Sequence, residues 1–218
     1  MLTISKFTKK YGVKFTLNHN DKMQGLASLS TSPLCNPYCK ERAKNKETIC
    51  SHCYSITMQK RFRNLAKALE KNTEVLTTTI IPFDDMPYLF SETGFFRFEA
   101  FGDLINRIQV VNYFNMASAN PHMHCALWTK NPFIIEKAIE EYGIKKPENL
   151  TILASSYFLN NEMDFVSRFP FIDKTFTVYD KKYIAENGVE INCGGRACAE
   201  CGKCYRNDGP KAIAELLK

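Results

Sequence analysis

No apolar run in the sequence approaches the roughly 18 residues that a membrane span needs. The opening MLTISKFTKKYG has no apolar h-region of the secretory type. The expected setting is therefore the reducing cytoplasm, that of a host if the gene is viral, with no membrane partner. There is no internal repeat and no low-complexity linker. A Walker loop, a Rossmann glycine fingerprint and a Gly-x-Ser-x-Gly elbow are all missing, which sets aside the common nucleotide-binding and serine-hydrolase chemistries. The excess of one charge sign is also small. Lys and Arg number 29 against 23 Asp and Glu, a net charge of +6 spread over 218 residues. A nucleic-acid binder concentrates its charge on one face, so nucleic acid is not an expected partner. The basic residues Lys60, Arg61, Arg63, Lys67 and Lys71 read as the solvated face of a helix. A small-molecule substrate remains as the expected partner.

What the sequence does have is cysteine, nine in all. An odd number cannot pair completely, and a reducing compartment disfavours a disulfide scaffold. Eight of the nine fall in two groups, at 35–53 and 193–204. Clustered cysteines in such a compartment point to metal. Cys125 stands apart in an apolar strand and is expected to be a core thiol.

The second group is Cys193-x4-Cys198-x2-Cys201-x2-Cys204. Its Cys-x2-Cys-x2-Cys run places three thiolates around one small loop, as the corners of a 4Fe–4S cubane require, with a fourth ligand from elsewhere. Gly194, Gly195 and Gly202 let the backbone fold closely around an inorganic core. A structural zinc knuckle is the alternative. The first group is Cys35-x3-Cys39-x10-Cys50-x2-Cys53, spacings that also fit a four-thiolate structural zinc. It resembles the radical-SAM signature of three cysteines at x3 and x2 spacing. Ten residues separate its halves, however, and no Gly-Gly-Glu follows the next strand, so SAM is a secondary expectation. His52 lies between Cys50 and Cys53 as a spare ligand or proton donor.

Strands are predicted at 14–18, 26–31, 95–100, 124–129, 150–154, 175–179 and 189–192. Helices are predicted at 55–75, at 104–118, from Asn131-Pro132 to Gly143 with Asn131 as the N-cap and Pro132 in the first helical position, and at 210–217. The alternation implies an α/β protein: a single domain over 1–218 with a complete or partial (β/α) TIM-barrel-like fold, and an open doubly wound sheet as runner-up. Both cysteine groups follow predicted strands, so both are expected at the C-terminal ends of strands, on one rim. Arg97 and Glu99 share a strand face by the period of two. Asp103 is placed to cap the next helix. Lys130 ends the 124–129 strand and reaches the same rim. These four are the candidate catalytic residues. His124 starts its strand and points away from that rim.

Four segments together resemble the phage gene product eighty-eight family: Cys50-Ser-His-Cys53-Tyr54, Arg97 with Gly102-Asp103, Thr129-Lys130 after a strand, and Cys198-Ala-Glu-Cys201-Gly202-Lys-Cys204-Tyr205. They span most of the chain in order. The resemblance implies a phage origin and a cluster-binding barrel related to radical-SAM folds, without an established reaction. Glu99-Ala100-Phe101 departs from the more polar stretch expected before Gly102-Asp103, which weakens any transfer of role to Glu99.

The leading expectation is an enzyme with a 4Fe–4S cluster held by Cys193, Cys198, Cys201 and Cys204. The cluster would serve as a Lewis acid for hydrolysis of a small ester or amide. Lys130, Arg97, Glu99 and Asp103 would orient substrate and move protons. The alternatives are radical-SAM-like reductive chemistry and a non-enzymatic, metal-stapled binding protein.

Overall fold

The computed structural model describes residues 1–19 and 21–217. In chain order the elements are β1 (Leu2–Thr3), α1 (Ile4–Tyr11), β2 (Thr16–Leu17), β3 (Ala27–Leu29), α2 (Pro37–Lys44), α3 (Tyr54–Arg61), α4 (Arg63–Thr78), β4 (Pro87–Tyr88) and β5 (Phe95–Phe98). Then come α5 (Arg107–Ser118), β6 (His124–Thr129), α6 (Phe133–Tyr142), β7 (Leu150–Ser155), β8 (Lys174–Tyr179), α7 (Lys181–Asn187), α8 (Cys198–Cys201) and β9 (Ala212–Leu216). β1 and β4 pair as a separate parallel ribbon. The main sheet has seven strands in the order β2-β3-β5-β6-β7-β8-β9. β2 runs antiparallel to β3, and every later pairing is parallel.

This is an α/β protein wound in one direction. Each parallel strand of the sheet lies beside the next in sequence, so right-handed crossovers carry α4, α5 and α6 to a single face. The strand residues show it by alternation. Phe96, Phe98, Cys125, Leu127, Leu150 and Ile152 share one core with Leu76, Tyr113, Met116, Ile135 and Ala138 of the helices. Their neighbours Phe95, Ala126, Leu153 and Ile213 form a second cluster on the opposite face with Tyr205. β2 and β9 are the edges of the described sheet and do not pair with each other.

Local signals explain several elements. α4 turns Leu69, Asn72, Thr73 and Leu76 inward at helical spacing. α6 stops at Gly143, which takes a left-handed φ of 61°. α5 is buried over most of its length, and its Asn112 amide donates to the carbonyls of Leu76 and Thr79 at the end of α4. Cys125 is fully buried, and burial pushes its thiol up to about 12.

Several expectations are corrected. The helix predicted over 55–75 is two helices, because Phe62 is extended at φ −115° and ψ 101°. Pro132, not Asn131, is the residue before the first turn of α6. Residues 189–192 form no strand. The helix predicted over 210–217 is instead strand β9. Ala, Glu and Leu favour a helix there, but pairing with β8 along five residues decides otherwise. The sheet's single winding also replaces the doubly wound alternative.

Gly102 is one position where the backbone admits no other residue easily. Its φ is +83°, and a Cβ would lie 2.6 Å from the Thr31 carbonyl oxygen and 2.9 Å from Glu99 Oε2. Gly102→Ala is expected to cost about 1–3 kcal/mol, read as a lowered urea midpoint. An unchanged midpoint would show that the Thr31 loop yields freely.

Candidate functional site

The carboxyl ends of β3, β5, β6 and β7 meet in one rim, and the first cysteine group is built into it. Asn36 caps α2 by accepting from the Tyr38 N–H at 2.9 Å, and Pro37 starts that helix. The Asn36 amide donates to the carbonyls of Asp103 and Leu104 at 3.0 and 3.2 Å. The Tyr38 hydroxyl donates to the Lys130 carbonyl at 2.8 Å. Thr48 bridges to Phe158, and the Ile49 N–H donates to the Tyr157 carbonyl at 2.9 Å. The loop carrying Cys35, Cys39, Cys50 and Cys53 is thereby tied to the next three.

Asp103 holds this rim from beneath. It is buried, and its carboxylate accepts from the Leu104 N–H at 2.7 Å, the Thr129 hydroxyl at 2.7 Å and the Lys130 N–H at 2.9 Å. Burial raises its pKa, and the nearby Lys130 charge opposes the rise. The helix cap predicted for Asp103 is made by Asn106, whose side chain accepts from the Gln109 N–H at 3.1 Å. Lys130 does reach the rim: its ammonium donates to Ser155 Oγ at 3.0 Å. Cys50 lies near enough that burial raises its thiol pKa while the charge of Lys130 lowers it. Cys39 is raised by burial first, then by Asp103, Cys53, Glu99 and Cys50. Cys35 is exposed.

Glu99 is not beside Arg97. Period-two alternation places them on one face, but Glu99 has a positive φ of 55°, which turns its side chain toward the helices. There its carboxylate accepts from the Thr31 hydroxyl at 2.9 Å, the Gln109 amide at 2.6 Å and the Tyr113 hydroxyl at 2.5 Å. It joins the β3 loop to α5 and is buried. Arg97 stays on the opposite face, with its guanidinium 4.0 Å from the Trp128 ring centroid and Nη1 3.6 Å from Met23 Sδ.

Arg97 there meets the second cysteine group, which is not on the rim. The Cys193 N–H donates to the Ala214 carbonyl in β9 at 2.9 Å. Tyr205 stacks on Phe95 at 4.9 Å and meets the Trp128 edge at 5.8 Å. Asn207 accepts from Thr151 at 3.1 Å, and buried Lys174 donates to the carbonyls of Asp208 and Pro210 at 2.8 and 3.2 Å. Phe95, Thr151 and Lys174 stand at the starts of β5, β7 and β8, so this segment covers the free face from its amino half. The common-rim expectation fails for a topological reason. β9 runs parallel to β8, so the chain must return to the amino end before entering it, and the cysteines lie on that return.

The four thiols of this second set act on one another. Cys204 is pushed up to about 12 by burial, then by Cys193 and Cys198, against the opposing charge of Arg97. Burial also raises Cys198, against Lys22 and Arg97. The Lys22 ammonium donates to Cys193 Sγ at 3.0 Å and to Glu215 Oε1 at 2.7 Å. Two buried donors beside this set, Arg97 Nε and Tyr205 Oη, have no acceptor among the described residues. Among those residues, too, no three His, Cys, Asp or Glu side chains are gathered as closely as a bound ion would hold them. Sequence reasoning missed Lys22 and Lys174, whose roles no local motif signals. The position of Tyr205 next to Cys204 was a visible clue. His124 is exposed at the start of β6, away from the rim as expected.

Comparison with known family models, curated proteins and solved structures finds no match for this chain. No helix among the described residues is long and apolar enough to cross a membrane.

Glu99 yields a pH test. Burial pushes its carboxyl up to about 8 from 4.5, although Tyr113 and Thr31 donate to it. The folded state therefore keeps a proton that the unfolded chain releases between these values. Its stabilising contribution is full below the lower value and is lost as pH rises through the upper one. Wild type is expected to lose on the order of a few kcal/mol relative to Glu99→Gln between about pH 5 and about pH 8, measured by urea denaturation. Parallel pH profiles for the two proteins would show that Glu99 is ionised throughout.

Proposed function

We propose that this chain is an iron–sulfur enzyme whose 4Fe–4S cluster is bound within the second cysteine segment, 193–204, with Cys198, Cys201 and Cys204 among its ligands. The supporting observation is the pair of orphaned buried donors, Arg97 Nε and Tyr205 Oη, beside those thiols. A buried donor without an acceptor is costly, and the sulfides and thiolates of a cluster would accept from both. The donor set also suits an anionic, sulfur-rich group, since Arg97 and Lys22 supply positive charge. A cluster with an iron free of thiolate would supply a Lewis acid for hydrolysis of a small ester or amide. Arg97 is the catalytic candidate that lies at this set, and its charge would stabilise a developing negative charge.

The first set is read as a second, structural metal site, with zinc as the suitable ion. Its loop is pinned to Asp103, Lys130 and Tyr157, which suits a staple. The singly wound parallel sheet is read as an opened (β/α) barrel, in keeping with the resemblance to the phage gene product eighty-eight family. One observation favours a second reading. The first set follows β3, the first strand of the parallel series, where SAM-dependent chemistry would sit beside Lys130 and Ser155. Binding of SAM by the reduced protein, lost in Cys39→Ser, would support it.

Anaerobic purification followed by iron, sulfide and zinc analysis tests the main reading. Cys198→Ser, Cys201→Ser and Cys204→Ser are each expected to lose iron and sulfide together, and stability with them. Cys39→Ser and Cys50→Ser should lose zinc and keep the iron. Cys125→Ser should keep all three. Full iron and sulfide in all three variants of the second set would overturn the assignment.

A further inference from the structure

We propose that Cys198, Cys201 and Cys204 alone hold the cluster, and that Cys193 stands back from it at the wall of a cavity that binds a small carboxylate. This rests on the iron–sulfur reading above and adds which thiol is not a ligand and what occupies the space beside it. Three observations support it.

The first is the backbone. Cys198 and Cys201 share the single turn of α8, and Cys204 follows after Gly202. Cys193 instead lies on an extended stretch bridged to β9, with its N–H bound to the Ala214 carbonyl. Three thiols therefore belong to one compact loop, while the fourth is fixed to the sheet edge.

The second is the partner of the fourth thiol. Cys193 Sγ already accepts from the Lys22 ammonium at 3.0 Å, and Glu215 fixes that ammonium at 2.7 Å. The chain thus provides Cys193 with a resting place that requires no metal.

The third is the cavity itself, of about 400 Å³, lined by Lys22, Cys193, Gly194, Gly195, Arg196 and Glu215 among others. Cys193 is the member of the second set that faces it. Gly194 and Gly195 have no atom within 4 Å of where a Cβ would stand, so their loop leaves room. Lys22 and Arg196 bring two positive charges against the one negative charge of Glu215. The balance suits a single anion, and a monocarboxylate of a few carbon atoms fits the volume. A carboxylate is also what hydrolysis of an ester or amide releases.

The test uses the full chain, purified anaerobically and loaded with iron and sulfide. Cys193→Ser is expected to retain the iron and sulfide of wild type, whereas Cys198→Ser loses them. Mild oxidation of wild type should release iron and leave a three-iron cluster, seen by electron paramagnetic resonance. That signal should persist in Cys39→Ser and be absent in Cys198→Ser. Glycolate should shift the spectrum of the reduced wild-type cluster, and Lys22→Met should abolish the shift. Loss of the cluster in Cys193→Ser, together with no three-iron signal from wild type, would establish four-thiolate ligation and overturn the proposal. A spectrum indifferent to glycolate would overturn the carboxylate site. Iron and sulfide missing from wild type itself would instead sink the underlying iron–sulfur reading.

Discussion

Six strands that run the same way impose a strict geography on the chain. Every connection must travel from the carboxyl end of one strand back to the amino end of the next. A segment just after a strand lies at one end of the sheet, and a segment just before a strand lies at the other. The two cysteine groups obey this rule from opposite sides. The first leaves β3 and spreads across the carboxyl rim. The second approaches β9 and covers the free face from its amino half. Their separation follows from strand polarity rather than from any property of the cysteines.

The same polarity explains why the polar residues divide as they do. Asp103 and Lys130 follow β5 and β6, so they belong to the rim, where the Asp103 carboxylate accepts from Thr129 and Lys130 at the end of β6 and its carbonyl accepts from Asn36 in the loop after β3. Arg97 lies within β5 and projects onto the free face, where the second thiol set arrives. Glu99 would accompany Arg97 if the strand continued. Its left-handed backbone ends the alternation and sends the carboxylate among Thr31, Gln109 and Tyr113. Four residues that look like one constellation in sequence therefore serve three places.

The free face is not simply a back wall. It carries cations at Lys22 and Arg97, two buried donors without an acceptor among the described residues, and the thiols of Cys193, Cys198, Cys201 and Cys204. Burial raises the thiols Cys198 and Cys204, and the cost of ionising them is what a bound metal centre would offset. Lys174 anchors the end of the same segment through backbone carbonyls. The segment is held by residues from the start of the chain, the strands and the terminal segment together.

The sequence by itself determined that the cysteines fall in two groups, since spacing along the chain is a local property. It determined strand 124–129 in full, and the stop of α6 at Gly143, because alternation and C-terminal glycine act over a few residues. Cys125 as a core thiol was legible for the same reason. Only the tertiary structure decided which end of the sheet each group occupies. Residues 212–216 carry a helical composition, and their pairing with β8 overrides it. Once that segment is a parallel strand, the chain must pass back along the sheet to its amino end, and the cysteines lie on that return, Cys193 beside Glu215 and the later ones nearer the amino end. Likewise no local signal marks Lys22 as the partner of Cys193, because 171 positions separate them and only the folded sheet brings the two together.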